Sequence, residues 1–432
     1  MNTDDRSAPA KNPGLPRGRF ALLFTIMLVT ASGNTALQSL MPAIGRGIGI
    51  SDFLITVAFS LSAIIWVLTA PFWARRADHR GRRAMMRLGI IGFVISMLLC
   101  GLVLAAGLRG TISASAAFIL FIFGRSFYGG WGSAAPPAVQ AYVAARTDGE
   151  QRTNALAAIA SSFGLGTIIG PAIAPLFIVA PLGLSGPLVA FAAIGVAVLA
   201  AIILLIPDDA PAHAARGRII SFPALGLDDG AGAADEDVPA KLAWRDPRVL
   251  RWNLIGLVGG HGHAAMLGTI GFLVIDRLSL PLGEAQHAIA IVLMAGAAAT
   301  LLAQWWLIPL LRLAPRELVI VGCLLSASGA MLAGLSTGMY GITLGFAVSS
   351  IGFGFFRPGY TSGASLAVEP HEQNEIAGMT TSVNGAAFVA APAAGVALYS
   401  LGLAVPFVTV AALMLALTLW MLLRFNPSVR AA

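Results

Sequence analysis

Arg125 and Arg357 each stand alone among apolar residues, in runs (113–144 and 340–367) that hold no other charge. His261 and His263 occupy a third apolar run, and Asn34, Gln38, Tyr128 and Asn384 add neutral polar groups to this set. These side chains suit recognition. A guanidinium pairs with a carboxylate or phosphate through parallel N–H donors, an imidazole changes charge near neutral pH, and amide or phenol groups fix orientation. Every Asp and Glu falls in a loop or near the end of an apolar run. A cavity built from these residues therefore holds positive potential, which favours anionic or zwitterionic small molecules over lipophilic cations. If protons take part, His261 and His263 are the titratable candidates, with Asp52, Asp276 and Glu284 near the run ends as second choices.

Catalytic signatures are missing from the sequence. It has no His-Glu-x-x-His pair, no Gly-x-Ser-x-Gly elbow and no phosphate-binding Gly-Lys-Ser/Thr loop, so neither an enzyme nor an ATP-hydrolysing pump is indicated. Cys100 and Cys323 lie far apart inside apolar runs and suggest packing residues, not a disulfide or thiol metal site. No cofactor or metal is expected. The pI near 10.1 does not point to nucleic acid, because the basic residues sit beside hydrophobic runs.

The elements that must position these groups follow from composition. Of 432 residues, 57% are hydrophobic and 11% charged, against roughly a quarter charged in soluble domains. Runs of about 20 apolar residues, enough to cross about 30 Å of hydrocarbon as helix, alternate with short charged breaks. Spans are expected near 20–45, 52–74, 86–107, 113–144, 153–180, 184–207, 251–275, 284–311, 317–336, 340–367, 376–399 and 402–424. Twelve spans put both termini on one side, and 22 of the 27 Lys and Arg residues fall there, which makes that side cytoplasmic. Residues 1–19 form a polar N-tail without a signal-peptide pattern. Two bundles, 20–207 and 251–424, are joined by a polar linker at 208–250, and 425–432 is the C-tail. The bundles look like repeats. Gly130, Gly132 and Pro136 recur as Gly352, Gly354 and Pro358, and Glu150–Gln151 as Glu372–Gln373, all at one offset of 222 residues.

Three local patterns add specificity. The loop after span two reads Ala74-Arg75-Arg76-Ala77-Asp78-His79-Arg80-Gly81-Arg82-Arg83; span four has Arg125-x-x-x-Gly129; span five has Gly166-x-x-x-Gly170-Pro171. Small residues four apart make a flat strip for close helix approach, and proline bends the helix beside it. Together the patterns resemble the major facilitator superfamily, closest to its twelve-span drug/metabolite:proton antiporters. In the loop, Asp78, Gly81, Arg82 and Arg83 match, while Ala74, Arg76 and His79 depart from the family pattern.

The resemblance implies an all-α membrane fold of two pseudo-symmetric six-helix bundles that alternate access to a site at mid-bilayer. Asp78 with Gly81, Arg82 and Arg83 is then a conformational gate between the halves, and Gly166, Gly170 and Pro171 mark an exporter. Ser32-Gly33-Asn34 of span one and His261-Gly262-His263 of span seven should face each other across that site. The implied function is proton-coupled export of a drug or secreted metabolite by a monomer in the plasma membrane, or the inner membrane of a Gram-negative cell. The expected partners are substrate, protons and lipid, with no nucleic acid. Proton-coupled uptake of a small organic anion, a non-transporting receptor and a channel are the alternatives.

Overall fold

Lipid offers the backbone no hydrogen-bond partner, so a chain this apolar must satisfy its own N–H and C=O groups within helices. The computed structural model describes residues 15–147, 149–207, 242–369 and 372–424. The proposed tails outside these limits, and the linker as far as residue 241, lie outside the described residues. The first half contains α1 (Arg17–Ile48), α2 (Asp52–Arg80), α3 (Arg82–Leu108), α4 (Ala114–Gly130), α5 (Ala135–Ala144), α6 (Gly149–Ile173) and α7 (Gly186–Leu205). The second contains α8 (Pro247–Leu278), α9 (Leu282–Leu302), α10 (Ile308–Leu311), α11 (Pro315–Leu335), α12 (Met339–Leu366), α13 (Gln373–Tyr399) and α14 (Val405–Arg424).

These fourteen helices make twelve crossings. Pro136 and Pro137 lack the N–H that a continuing α-helix needs, so span four breaks into α4 and α5 around a 3₁₀ turn at Gly132–Ala134. A π-helical turn at Ala303–Leu307 joins α9 to α10. Ten crossings are individually long and apolar enough to span a membrane. The other two are the α4–α5 pair and α6, whose apolar part is Leu165–Phe177. Large apolar side chains stay exposed around the bundle, Leu68, Ile119, Leu204, Leu310 and Leu423 among them, as expected of a lipid-facing surface.

Two boundaries differ from expectation. Helix α2 does not end at 74 but continues to Arg80, so the basic loop shrinks to Gly81, whose φ of 85° reverses the chain where a side chain would be strained. Helix α8 starts at Pro247, inside the expected linker, because Asp246 caps it by accepting from the Arg248 N–H at 2.9 Å.

The repeat is visible in packing. In the first half α1 lies on α6, α2 on α4, and α3 on both α4 and α7; in the second, α8 lies on α13, α9 on α12, and α11 on both α12 and α14. The halves meet through α2 with α13, α6 with α9, and α1 with α8 and α9. Each half also clamps its last helix in the same way. Arg83, at the start of α3, donates to the Ile203 carbonyl in the last turn of α7 at 2.5 Å, and Arg316, at the start of α11, donates to Met421 near the end of α14 at 3.3 Å. A cation there meets the negative pole of the helix and its unpaired carbonyls.

Close approach of α11 and α12 depends on glycine. A methyl group on Gly352 would come within 2.6 Å of the Gly322 carbonyl, whereas one on Gly283 would meet nothing within 4 Å. Gly352→Ala should therefore push the two helices apart and destabilise the protein by about 1–3 kcal/mol, while Gly283→Ala should be near neutral. Thermal unfolding followed by tryptophan fluorescence in detergent checks the contrast, and equal melting temperatures for the two variants would refute the packing argument.

Candidate substrate-binding site

The first-half cluster forms around Arg125, which is 3% exposed. Helices α1 and α4 bring its Nη2 to the Asn34 carbonyl oxygen at 2.9 Å. The guanidinium lies 5.0 Å from the Phe59 ring centre and 4.9 Å from that of Tyr128, within the range of cation–π attraction. Tyr128 in turn packs against Trp66 and Phe93. Nε and Nη1 of Arg125 have no hydrogen-bond partner among the described residues. A cation enclosed by aromatic rings, with one neutral acceptor and two idle donors, is arranged to take an additional acceptor. Gln38 lies one turn beyond Asn34 on the same face of α1 and is exposed.

The second-half cluster is a cavity of about 80 Å³ between α8, α12 and α13. Its walls include His263, Arg357, Asn384, Phe353 and Tyr360. His263 stacks on Phe353 with centroids 4.6 Å apart and planes 28° from parallel, and Phe388 meets it edge-on. Arg357 is exposed and makes no ion pair or side-chain hydrogen bond among the described residues. His261 does not reach the cavity. Two residues are about 200° of helical rotation, so it turns away from His263, and its Nδ1 lies 2.7 Å from the Leu257 carbonyl of its own helix.

The structure thus brings Asn34, Arg125 and Tyr128 together in one half and His263, Arg357 and Asn384 in the other. The aromatic residues of the second cluster were not singled out in the sequence. Their signal was there: Phe353, Phe356 and Tyr360 recur at helical spacing beside Arg357, so all four share one face of α12. Among the described residues, no group of three or more His, Cys, Asp and Glu side chains comes together to hold a metal ion.

The far end of the bundle, where α1 turns into α2, is closed by charges, among them Asp52 and Asp276, which the sequence offered only as titratable groups. Arg46 donates through Nε and Nη2 to Asp52 at 3.0 and 2.6 Å, and through Nη1 and Nη2 to Asp276 of the other half. Tyr399, ending α13, donates to Asp276 at 2.6 Å. Deeper in, Gln286 donates to Ser39 at 3.3 Å, again across the halves.

The predicted gate residues distribute differently. Gly166 and Gly170 face α1 of their own half: a methyl on Gly166 would come within 2.6 Å of the Leu28 carbonyl, and one on Gly170 would run into the Ser32 carbonyl. Thr35 donates to the Gly166 carbonyl across this seam at 3.3 Å. The strip therefore fixes α6 on α1 and is not itself the seam between halves, while Pro171 is buried beside it near the end of α6. Arg83 holds α7, Gly81 makes the turn, and Arg82 starts α3. Asp78 occupies the last turn of α2, and its side chain lies outside those described.

Twelve crossings in two like halves, with polar side chains gathered between apolar helices, are the architecture of a polytopic membrane carrier. The Major Facilitator Superfamily pattern matches residues 23–312, well over half of the sequence, and the chain belongs to that family. A stretch of 152 residues is 30% identical to Multidrug resistance protein 2 of Bacillus subtilis (strain 168), spanning 35% of this chain and 35% of that relative's length. Among solved structures, the nucleoside transporter NupG aligns over 94% of this chain and 99% of its own, with 14% identity and a TM-score of 0.69. The human organic anion transporter MFSD10 (TETRAN) covers 94% and 100%, with 19% identity and a TM-score of 0.59. A bacterial homolog of the human lysosomal transporter Spinster, inward-facing and unoccupied, covers 94% and 96%, with 13% identity and a TM-score of 0.64. At these identities the likeness to solved structures is one of fold.

Because Asp276 bridges Arg46 and Tyr399, Asp276→Asn should loosen the far end. A cysteine placed at Ser39, which is 2% exposed, reports on it in a chain whose Cys100 and Cys323 are replaced by alanine. Its maleimide labelling should quicken about ten-fold, the effect of losing roughly 1.4 kcal/mol of preference for the closed state. An unchanged labelling rate would show that Asp276 does not hold this end shut.

Proposed function

We propose that this protein is a secondary active transporter that exports a small organic molecule, a drug or secreted metabolite, in exchange for protons. The observation that carries transport through a central site is the pair of half-sites: Arg125 with two unpaired nitrogens in one half and Arg357 unpaired in the other. A guanidinium within a membrane helix is costly and earns its place by facing a partner or a wet path. Export is supported by the 30% identity of one stretch to a multidrug resistance protein and by the Gly166-x-x-x-Gly170-Pro171 pattern of α6. The units that move are the halves 20–207 and 251–424, and the basic side, with both termini, faces the cytoplasm of a plasma or inner membrane. The chain acts as a monomer, with protons and solute as its partners.

In this reading Asn34, Gln38, Arg125, Tyr128, His263, Arg357 and Asn384 contact the solute. His263 carries the coupling proton, and His261, bonded within its own helix, plays the smaller part. Uptake of a small organic anion is the second reading, favoured by two cations that have no ion-paired carboxylate among the described residues.

Proteoliposomes with an imposed pH gradient test the proposal. Solute should accumulate against its own gradient and stop when the pH difference is dissipated; accumulation indifferent to that difference would reject proton coupling, and the direction of flux in whole cells separates export from uptake. Arg125→Ala should abolish transport while leaving folded protein in the membrane, and normal flux would remove Arg125 from the site. His263→Ala should flatten the pH dependence of transport, whereas an unaltered pH profile would assign coupling elsewhere.

A further inference from the structure

The second-half cavity has a more specific character than positive charge alone. Its walls are flat rings: His263 and Phe353 lie stacked, Phe388 stands edge-on to His263, and Phe356 and Tyr360 lean against each other with centroids 5.6 Å apart. Gly260 also lines the cavity, where a methyl would come within 3.1 Å of Ala387 on α13. Arg357 borders these rings, exposed and without a hydrogen-bond or ion-pair partner among the described residues. Asn384 adds one neutral amide, one of whose N–H groups donates to the Thr380 carbonyl of its own helix at 2.9 Å.

We propose that this cavity is a subsite for the aromatic carboxylate end of the solute, with the ring laid against the aromatic walls and the anionic group on Arg357. The inference rests on the transport reading above and narrows its substrate class to planar aromatic anions. At about 80 Å³ the cavity takes one ring or its edge, and the rest of a larger molecule extends out of its open side. Two features separate this class from others. A guanidinium with no acidic neighbour repels cationic solutes and is itself unsatisfied until an anion arrives. Walls of rings reward a planar π-system through offset or edge contacts that a saturated ring of equal size cannot make. Arg125 is already wrapped by Phe59 and Tyr128 and bonded to Asn34, so Arg357 is the cation with its charge most open to a ligand.

Equilibrium binding to the purified full chain in lipid nanodiscs tests the subsite without requiring flux. Three ligands serve as probes: 2-naphthoate, 2-naphthamide, which keeps the ring but not the charge, and decahydro-2-naphthoate, which keeps the charge but not the planar ring. Wild-type protein should bind naphthoate about ten-fold or more tightly than the amide and about three-fold or more tightly than the saturated acid. Arg357→Gln should bring naphthoate down to the level of the amide and leave the amide unchanged. Phe353→Leu should erase the preference for the planar ring and keep the preference for charge. No binding of naphthoate, equal binding of naphthoate and its amide to the wild type, or undiminished naphthoate binding by Arg357→Gln would each overturn the subsite. The ligand series on the wild type decides the matter even if a variant fails to fold. The two readings fail separately: a chain that binds naphthoate yet moves no solute keeps the subsite and loses the transport proposal, and one that moves other solutes but ignores naphthoate does the reverse.

Discussion

Arg46 ends the first crossing with its guanidinium shared between two carboxylates, Asp52 on its own half and Asp276 on the other. Both contacts are two-pronged, the geometry in which Arg–carboxylate bonds are strongest and most directional. Hydrogen bonds to charged groups contribute about 1.5–3 kcal/mol each, against about 0.5–1.5 for neutral ones such as Gln286 to Ser39. All three charged side chains are less than a third exposed, so solvent screens the network only partly. The Arg46 guanidinium also sits 5.3 Å from the Phe272 ring, and a methyl on Gly271 would come within 2.8 Å of the Pro42 ring, so apolar contacts from α1 and α8 close the same end. Any movement of the halves away from each other at this end would have to break this arrangement.

Within each half the logic is different. Lipid provides no hydrophobic drive for helices to associate, so packing distance and internal hydrogen bonds decide. Glycines bring α6 onto α1 and α11 onto α12 close enough for backbone contact. Hydroxyls then bridge the seams: Thr69 donates to the Gly129 carbonyl at 3.0 Å, and Thr300, in the corresponding helix of the other half, donates to Ser350 at 3.2 Å. The Arg83 and Arg316 clamps repeat in the same way. Contacts held by backbone proximity are stiff, whereas the charged tie between halves is made of side chains that can let go. Such a division of labour suits two rigid bodies moving about a common centre.

Much of the fold was legible because a hydrocarbon slab imposes length and composition on every crossing. Arg125 and Arg357 announced themselves as charges in apolar runs, and the 222-residue offset exposed the repeat before any contact was known. Other features depended on rotation and depth, which a linear reading places poorly. His261 and His263 looked equivalent until helical rotation set them on opposite sides of α8. The Gly166–Gly170 strip was recognisable as a packing surface, yet nothing in it told which neighbour it packs against. Asp52 and Asp276 were legible only as titratable groups near run ends, although opposite charges at matching depth on the first and seventh crossings could have suggested a tie to Arg46.

The two half-sites are not copies, and their difference bears on how such a protein could couple binding to movement. Adding the repeat offset to Arg125 leads to Ala347, and subtracting it from Arg357 leads to Ala135, so each half carries its cation where the other has alanine. Arg125 is walled in and partly bonded, while Arg357 is exposed and its side chain has no bond among the described residues. A single acceptor-bearing solute that first meets the open guanidinium would gain further hydrogen bonds only if the halves rearranged to present Nε and Nη1 of the enclosed one. Binding energy of that kind favours one arrangement of the halves over another, which is the only way a ligand can shift a conformational equilibrium.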